Sequence, residues 1–304
     1  MLLTRRTFLS TASAALAAPL TPRRAWAVNT LTLGDLRIDT LSDGNLMLPG
    51  SFIFDDLPEN ELQPIIEKYG LSAEQLTPPC NVTLLRDGTN TVLFDAGAGP
   101  DFQSTAGKLS EAMDAIGLSV DDVTHVIFTH AHPDHLWGLL DEFDEPVFAN
   151  AEHMIGQMEF DYWTDPDTVS TIGEARTTFA VGAARRLGAI ADSMRFLADG
   201  EGPLPGIAAR LTPGHTPGHL AYEIAGPTPV MVLGDCIGNH HVAFERPDWH
   251  TGSDQDMARA AETRVALFDR LVSENFVITG FHLPGGGIGR AEKAETGYRF
   301  VEDL

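Results

Sequence analysis

Cysteine, positive charge and long apolar runs are all scarce in this chain, and each scarcity removes a class of protein. Only Cys80 and Cys236 are present, too few to staple a small secreted scaffold, so folding cannot rest on a disulfide framework. No stretch approaches the ~20 apolar residues of a membrane-spanning helix, while 43% hydrophobic content over 304 residues is enough for a sizeable core. Lysine and arginine number 20 against 43 aspartates and glutamates, a formal net charge of -23. A polyanion such as nucleic acid needs the opposite field, so the expected partner is a small, neutral or hydrophobic molecule. No Gly/Ser-rich or Pro-rich linker, repeat or low-complexity run divides the chain, which leaves one domain over residues 28–304. The Gly-x-Ser-x-Gly elbow of a serine hydrolase is also missing.

The first 27 residues read as an address. Thr4-Arg5-Arg6-Thr7-Phe8-Leu9 precedes a weakly apolar run, and Ala25-Trp26-Ala27 supplies an A-x-A cleavage site. The paired arginines resemble a twin-arginine export signal, which implies a periplasmic or secreted protein cut after Ala27.

Beyond it, short β-rich runs alternate with helical ones. Strands are expected at Thr30–Asp39, Val82–Arg86, Thr91–Phe94, Val123–Thr129, Pro146–Ala149, Ile207–Leu211, Leu220–Ile224, Val230–Leu233 and Asn275–Thr279. Helices are expected over Gln103–Ile116, Glu174–Met194 and Asp256–Val272, the last burying a stripe of Met257, Ala261, Val265, Phe268 and Val272. Strands followed by helices, twice over, suggest an α/β (α+β) protein whose two sheets pack face to face with helices outside, an αββα sandwich. Residues 51–79 form an acidic insertion with a helix at Glu59–Tyr69; a solvated excursion is the simplest reading, with a lid or a homodimer contact as alternatives.

The strongest chemical signal is His130-Ala131-His132-Pro133-Asp134-His135. On an extended segment, residues two apart share a side, so His130 and His132 can meet one ion. The turn at Pro133 then redirects Asp134 and His135 towards a second. Three further candidates sit where a strand gives way to a loop: His215 in Thr212-Pro213-Gly214-His215-Thr216-Pro217-Gly218-His219, Asp235 after Gly234, and His282 after Gly280-Phe281. Imidazole nitrogen with carboxylate oxygen suits zinc first, and also manganese, iron or cobalt.

This ordered set resembles the metallo-β-lactamase superfamily from about Val82 onward. The resemblance implies that His130, His132 and His215 bind one metal, that Asp134, His135 and His282 bind the other, and that Asp235 bridges them. Asp134 and Asp235 become the catalytic carboxylates of a dinuclear hydrolase in which a shared water, as hydroxide, is the nucleophile. Asp95, in Phe94-Asp95-Ala96-Gly97, would support the ligands by hydrogen bonding, and His219 would fix its loop. Aspartate at 235 points to the lactonase, glyoxalase-II and phosphodiesterase side of the family and away from true β-lactamases. Gly280-Phe281-His282-Leu283-Pro284 and Gly297-Tyr298-Arg299-Phe300-Val301 are similar to exported methyl-parathion-hydrolase-like enzymes and related lactonases, in which the counterparts of Tyr162 and Trp163 line the substrate pocket.

The expected activity is opening of lactones, acyl-homoserine lactones among them, or cleavage of carboxyl esters. Organophosphate triester hydrolysis is the alternative, and a di-iron redox protein or a non-catalytic metal-binding module are readings from other classes. Cys236 is expected as a buried free thiol. His240 and His241 either face substrate or lie on a solvated loop, the simpler reading.

Overall fold

The computed structural model describes residues 29–302; the expected export segment, 1–27, lies outside them. In chain order the elements are β1 (Asn29–Leu33), β2 (Leu36–Asn45), β3 (Leu48–Pro49), α1 (Ser51–Phe54), α2 (Glu59–Tyr69), β4 (Gln75–Leu76), β5 (Pro79–Arg86), β6 (Thr91–Phe94), α3 (Leu109–Ala115), β7 (His125–Ile127), α4 (Pro133–Leu136), β8 (Glu152–Gly156), α5 (Gln157–Thr164), α6 (Thr168–Thr171), α7 (Thr177–Ala189) and β9 (Arg195–Leu197). The second half holds β10 (Ile207–Leu211), β11 (Leu220–Ile224), β12 (Val230–Val232), α8 (Val242–Glu245), α9 (Met257–Ser273), β13 (Val277–Thr279), β14 (Ile288–Lys293) and β15 (Tyr298–Val301).

Two mixed sheets result, one ordered β1-β2-β5-β6-β7-β8-β9 and the other β10 to β15 in sequence order. The period of two along each strand sorts side chains into layers. Val92 and Phe94 of β6, Ile127 of β7, Leu220, Tyr222 and Ile224 of β11, and Val230 and Val232 of β12 join one buried cluster between the sheets. Their neighbours Leu93 and Val126 face the other way, into a cluster with Leu136, Ala180, Ala183 and Leu187. Ala221, Met231 and Ile278 likewise meet Leu267, Phe268 and Leu271 of α9 on the far side of the second sheet. Because helices cover both outer faces, these strands are apolar on both sides rather than alternating. The fold is the expected αββα sandwich, and among the described residues no helix is long and apolar enough to cross a membrane.

Several local expectations are corrected. The strand expected over Thr30–Asp39 is a hairpin, broken at Gly34, whose φ of +65° a glycine adopts without strain. The strand expected at Pro146–Ala149 is absent: a proline offers no N–H to a ladder, Pro146 makes only an isolated bridge to Leu140, and the sheet gains β8 a few residues later. The helix expected over Gln103–Ile116 is confined to α3. The loop before it is instead gathered on the buried Asp43 carboxylate, which accepts the N–H groups of Ala98, Gly107 and Leu109 at 2.8, 3.1 and 2.7 Å. Helix α9 turns a different face inward: Ala260, Ala261, Arg264, Leu267, Phe268 and Leu271 are buried, while Met257 and Val265 are exposed. The reason is Arg264, whose guanidinium is drawn into the interior by a buried acid described below.

The 51–79 segment does not run out into solvent. Ile53, Phe54, Leu62, Ile65 and Leu76 form a small core with Val242 and Trp249, so α1 and α2 sit on α8 as a docked flap. Lys68 and Tyr69 are bonded to Glu245, and Arg246 reaches Glu61. Cys80 and Cys236 are both free and buried. Burial pushes each thiol up to about 12.

Candidate metal centre

Five of the seven candidate ligands lie in loops that follow strands, and Asp134 and His135 lie on α4. After β7 the chain bends at Thr129 and reaches His132, whose φ of −66° and ψ of 158° precede Pro133 at the first turn of α4. Proline is pre-organised for that position, and the turn it starts carries Asp134 and His135 inward. His215 sits between β10 and β11 behind Gly214, where an added Cβ would lie 2.2 Å from the Ala260 nitrogen. Asp235 follows Gly234 after β12, and a Cβ on Gly234 would lie 2.6 Å from His219 Nε2. His282 follows β13.

The side chains converge as two adjoining sets, His130 with His132 and His215, and Asp134 with His135, Asp235 and His282. In the first, His132 Nδ1 lies 3.0 Å from His130 Nε2 and 2.9 Å from His215 Nε2. Nitrogens about 2.0 Å from one tetrahedral ion would be about 3.3 Å apart, so the spacing fits a slightly closed site. In the second, His282 Nε2 is 3.2 Å from both Asp134 Oδ2 and Asp235 Oδ2, and His135 Nε2 is 3.3 Å from Asp235 Oδ1. The Asp235 carboxylate also lies 3.4 Å from His215 Nε2 of the first set. One carboxylate therefore touches both sets.

Short contacts among imidazoles could be hydrogen bonds, so the fit to metal rests on what they leave unbonded. Asp134 Oδ2, His135 Nε2 and Asp235 Oδ1 are buried without a hydrogen-bond partner. Buried orphans of this kind are costly and rare in native proteins, yet these three point into the same small volume. The donor set is N and O, and two adjoining cations satisfy all three.

Electrostatics agree. Burial, reinforced by neighbouring imidazoles, holds His130 and His132 well below the usual histidine range, so their lone pairs are free. Burial alone would do the same to His135 and His282, but Asp235 and Asp134 outweigh it and raise both. Those carboxyls are lowered against the effect of burial by the same imidazoles. A metal in the second set thus takes the place of protons held between acid and imidazole.

Outside the ligands lies a ring of orienting groups. Asp95 has a φ of +71°, sparsely populated for a side-chain-bearing residue; its carboxylate receives the Thr129 N–H at 2.7 Å and meets His135 Nδ1 at 2.7 Å. His219 accepts the Asp235 N–H at 3.0 Å through Nε2, while its Nδ1 meets Thr212 Oγ1 at 2.7 Å. His282 Nδ1 is 2.7 Å from the Pro79 carbonyl.

Three residues that sequence reasoning did not single out complete the ring. Asp254 meets His215 Nδ1 at 3.1 Å and is paired with Arg264 at 2.6 Å, both buried. Glu159, on α5, accepts from Ala131 N, Gly218 N, Thr216 Oγ1 and Trp163 Nε1 at 2.6 to 3.0 Å. It ties the loop bearing His130 and His132 to the loop bearing His215. In the sequence Arg264 argues for a solvent-facing side of its helix, and Asp254 and Glu159 carry no signal.

The ligands open onto a cavity of about 340 Å³. Leu46, Leu48, Phe52, Ile53, Leu71 and Leu76, mostly from the flap region, give it an apolar wall. Tyr162 and Trp163 are not among its lining residues. Trp163 is 1% exposed and stands edge-on behind His132, with its indole N–H spent on Glu159, so aromatic lining falls instead to Phe52, Phe102 and Phe179. His240 and His241, for which a solvated loop was the simpler reading, line the cavity, and His241 is buried.

Comparison with known proteins gives a consistent result. The family model described as Metallo-beta-lactamase superfamily matches residues 77–273. The chain is 26% identical over 242 residues to the uncharacterized protein ML0493 of Mycobacterium leprae (strain TN), covering 77% of this chain and 98% of that protein. Among solved structures it superposes on the hydrolase AbOPH of the beta lactamase superfamily with a TM-score of 0.85 and 26% identity, covering 93% and 99% of the two chains. A TM-score of 0.84 with 24% identity, over 91% and 98% of the chains, relates its fold to AidC, a dizinc quorum-quenching lactonase.

Proposed function

From the fact that this chain belongs to the metallo-beta-lactamase superfamily and is a metal-dependent hydrolase, we propose that it opens lactones or cleaves carboxyl esters, N-acyl homoserine lactones among them, with two zinc ions. The observation that carries this reading is the Asp235 carboxylate standing between two ligand sets at the floor of an apolar-walled cavity. His130, His132 and His215 would hold one ion, Asp134, His135 and His282 the other, and Asp235 both. When bound, two such cations lower the pKa of a shared water and polarise the bond it attacks.

The protein's own groups set the rest. Neutral His130 and His132 donate without first losing a proton, and the low proton affinity of Asp235 keeps it a carboxylate that can serve both sets at once. Asp95 and Asp254 hold His135 and His215 in one ring orientation. The flap's leucines and phenylalanine exclude water from the substrate's apolar part, strengthening every charge interaction at the floor. The likeness of its fold to the lactonase AidC and the cavity's apolar wall support the substrate class.

A panel of lactones, aryl esters and methyl parathion tests it. The zinc-loaded protein is expected to turn over lactones or esters with kcat/KM at least about a thousandfold above the His132→Ala variant. Equal rates for the two would overturn the reading, and higher efficiency on methyl parathion would reassign the site to phosphotriesters. We also propose that residues 1–27 direct export; the mass of protein recovered from the periplasm or medium should then correspond to a chain beginning at Val28, and an intact Met1 there would contradict it.

A further inference from the structure

Each ligand imidazole turns one ring nitrogen into its set and keeps the other outside, where a neutral ring bound to a cation carries its proton. For four of the five rings an oxygen meets that outer nitrogen: Thr129 Oγ1 for His130 at 3.0 Å, Asp95 for His135 at 2.7 Å, Asp254 for His215 at 3.1 Å and the Pro79 carbonyl for His282 at 2.7 Å. His132 differs. It turns Nδ1 towards His130 and His215, so Nε2 is its outer nitrogen. What faces that nitrogen is the carboxamide of Gln255, whose Nε2 stands 3.4 Å away.

Gln255 is placed there by the chain on either side of it. Its N–H donates to the His215 carbonyl at 3.2 Å, and the N–H of Asp256 donates to the Gly214 carbonyl at 2.9 Å. The Asp256 side chain caps α9 by accepting the Arg259 N–H at 3.0 Å. The segment before α9 is thereby pinned to the loop of His215. The His132 ring also stands edge-on to Trp163 and Phe179, with centroids 5.6 and 5.9 Å away. Neither offers an oxygen to an outward N–H. The described residues that line the cavity do not include Gln255, so its carboxamide is directed at the imidazole and not at a ligand.

Two N–H groups facing each other cannot bond. A carboxamide keeps its shape after half a turn about its Cγ–Cδ bond, which puts the acceptor where the donor was and moves nothing else. We infer that Gln255 is a positioning residue of the metal centre, accepting the His132 Nε2–H through its amide oxygen and so fixing the tautomer and ring orientation in which His132 presents Nδ1. Asp254 and Gln255 then orient two of the three imidazoles of the first set from adjacent positions, a carboxylate behind His215 and a neutral amide behind His132. The inference rests on the metal reading of the site and not on the choice of substrate.

Zinc affinity and the position of one proton test it. In zinc-loaded protein with isotope-labelled histidine, nuclear magnetic resonance should find the His132 proton on Nε2, assigned by its absence from His132→Ala. Gln255→Leu keeps the bulk and removes the amide. It is expected to weaken zinc binding about 10- to 100-fold in competition with a chromophoric chelator and to speed exchange of the Nε2 proton with water. Gln255→Glu supplies acceptors alone and should bind zinc at least as tightly as wild type, a rescue that a space-filling role would not give. Unchanged affinity in Gln255→Leu, affinity in Gln255→Glu as weak as in Gln255→Leu, or a wild-type His132 proton on Nδ1 overturns the inference. If Gln255→Leu fails to fold, the wild-type proton and the Gln255→Glu affinity still decide. The expected shifts without hydrolysis of any lactone or ester would count against the proposed reaction and leave the role of Gln255 standing.

Discussion

Asp235→Ala is expected to cut hydrolysis by about a thousandfold or more and to lower the bound metal from two equivalents per chain towards one. The second set loses one of its four donors, and with it goes the carboxylate that reaches both sets. Its two imidazole neighbours, His135 and His282, also lose a counter-charge. Asp235→Asn separates charge from shape: one oxygen remains, but a neutral amide is a poor bridge, so activity should fall between alanine and wild type. Parallel metal analysis and kcat measurements check this, and a variant that keeps two metals and stays within tenfold of wild type would remove the bridge from the account.

The largest effect on stability is expected from Asp254→Ala. Arg264 would keep its bonds to the Pro247 and Trp249 carbonyls but lose the carboxylate paired with a guanidinium that is 3% exposed. Breaking a buried pair from one side costs about 3–5 kcal/mol. His215 loses the acceptor of its Nδ1 as well, and loss of such a partner weakens metal affinity by about 10- to 100-fold. Denaturation midpoints and metal titration should therefore both shift. Asp254→Asn keeps an oxygen for His215 and should spare metal affinity more than stability. The Asp254 carboxyl is held below its usual range by His215 and Arg264 despite burial. A lowered carboxyl pKa stabilises the fold above about pH 4 and ceases to do so as pH falls, so the gap between wild type and Asp254→Asn should narrow in acid. A gap constant from pH 7 to pH 3 would contradict the pairing.

The metal ligands could be read from the chain because a metal restricts residue type, and a rigid sheet restricts position: His130, His132, Asp134 and His135 fall in six consecutive residues, and the other three follow strand ends. The groups that orient them impose no such local pattern. Asp254 lies in a polar stretch like many others, and Glu159 on a short helix whose pattern was not read. Arg264 misled the reading of α9, since an arginine at the centre of a helical face argues for solvent until its buried partner is known. Strands such as β10, β11 and β12 were legible as short apolar runs ended by turn residues; β8 was missed although it ends at Gly156, and Gly34 turned one expected strand into two. The hairpin of β14 and β15 went unread because Gly289, Arg290 and Glu292 interrupt its apolar alternation. The flap's role could not be seen in its acidic composition, because its charges lie outward while Ile53, Phe54, Leu62 and Ile65 dock on α8.

Metal content of the folded wild-type chain tests the central claim most directly. Protein stripped with a chelator and titrated with zinc should take up two equivalents, releasing protons as the second set fills, and should unfold at a higher temperature when loaded. Folded protein that binds no divalent cation, or takes up two equivalents just as well after His132 and Asp235 are both replaced by alanine, would contradict it.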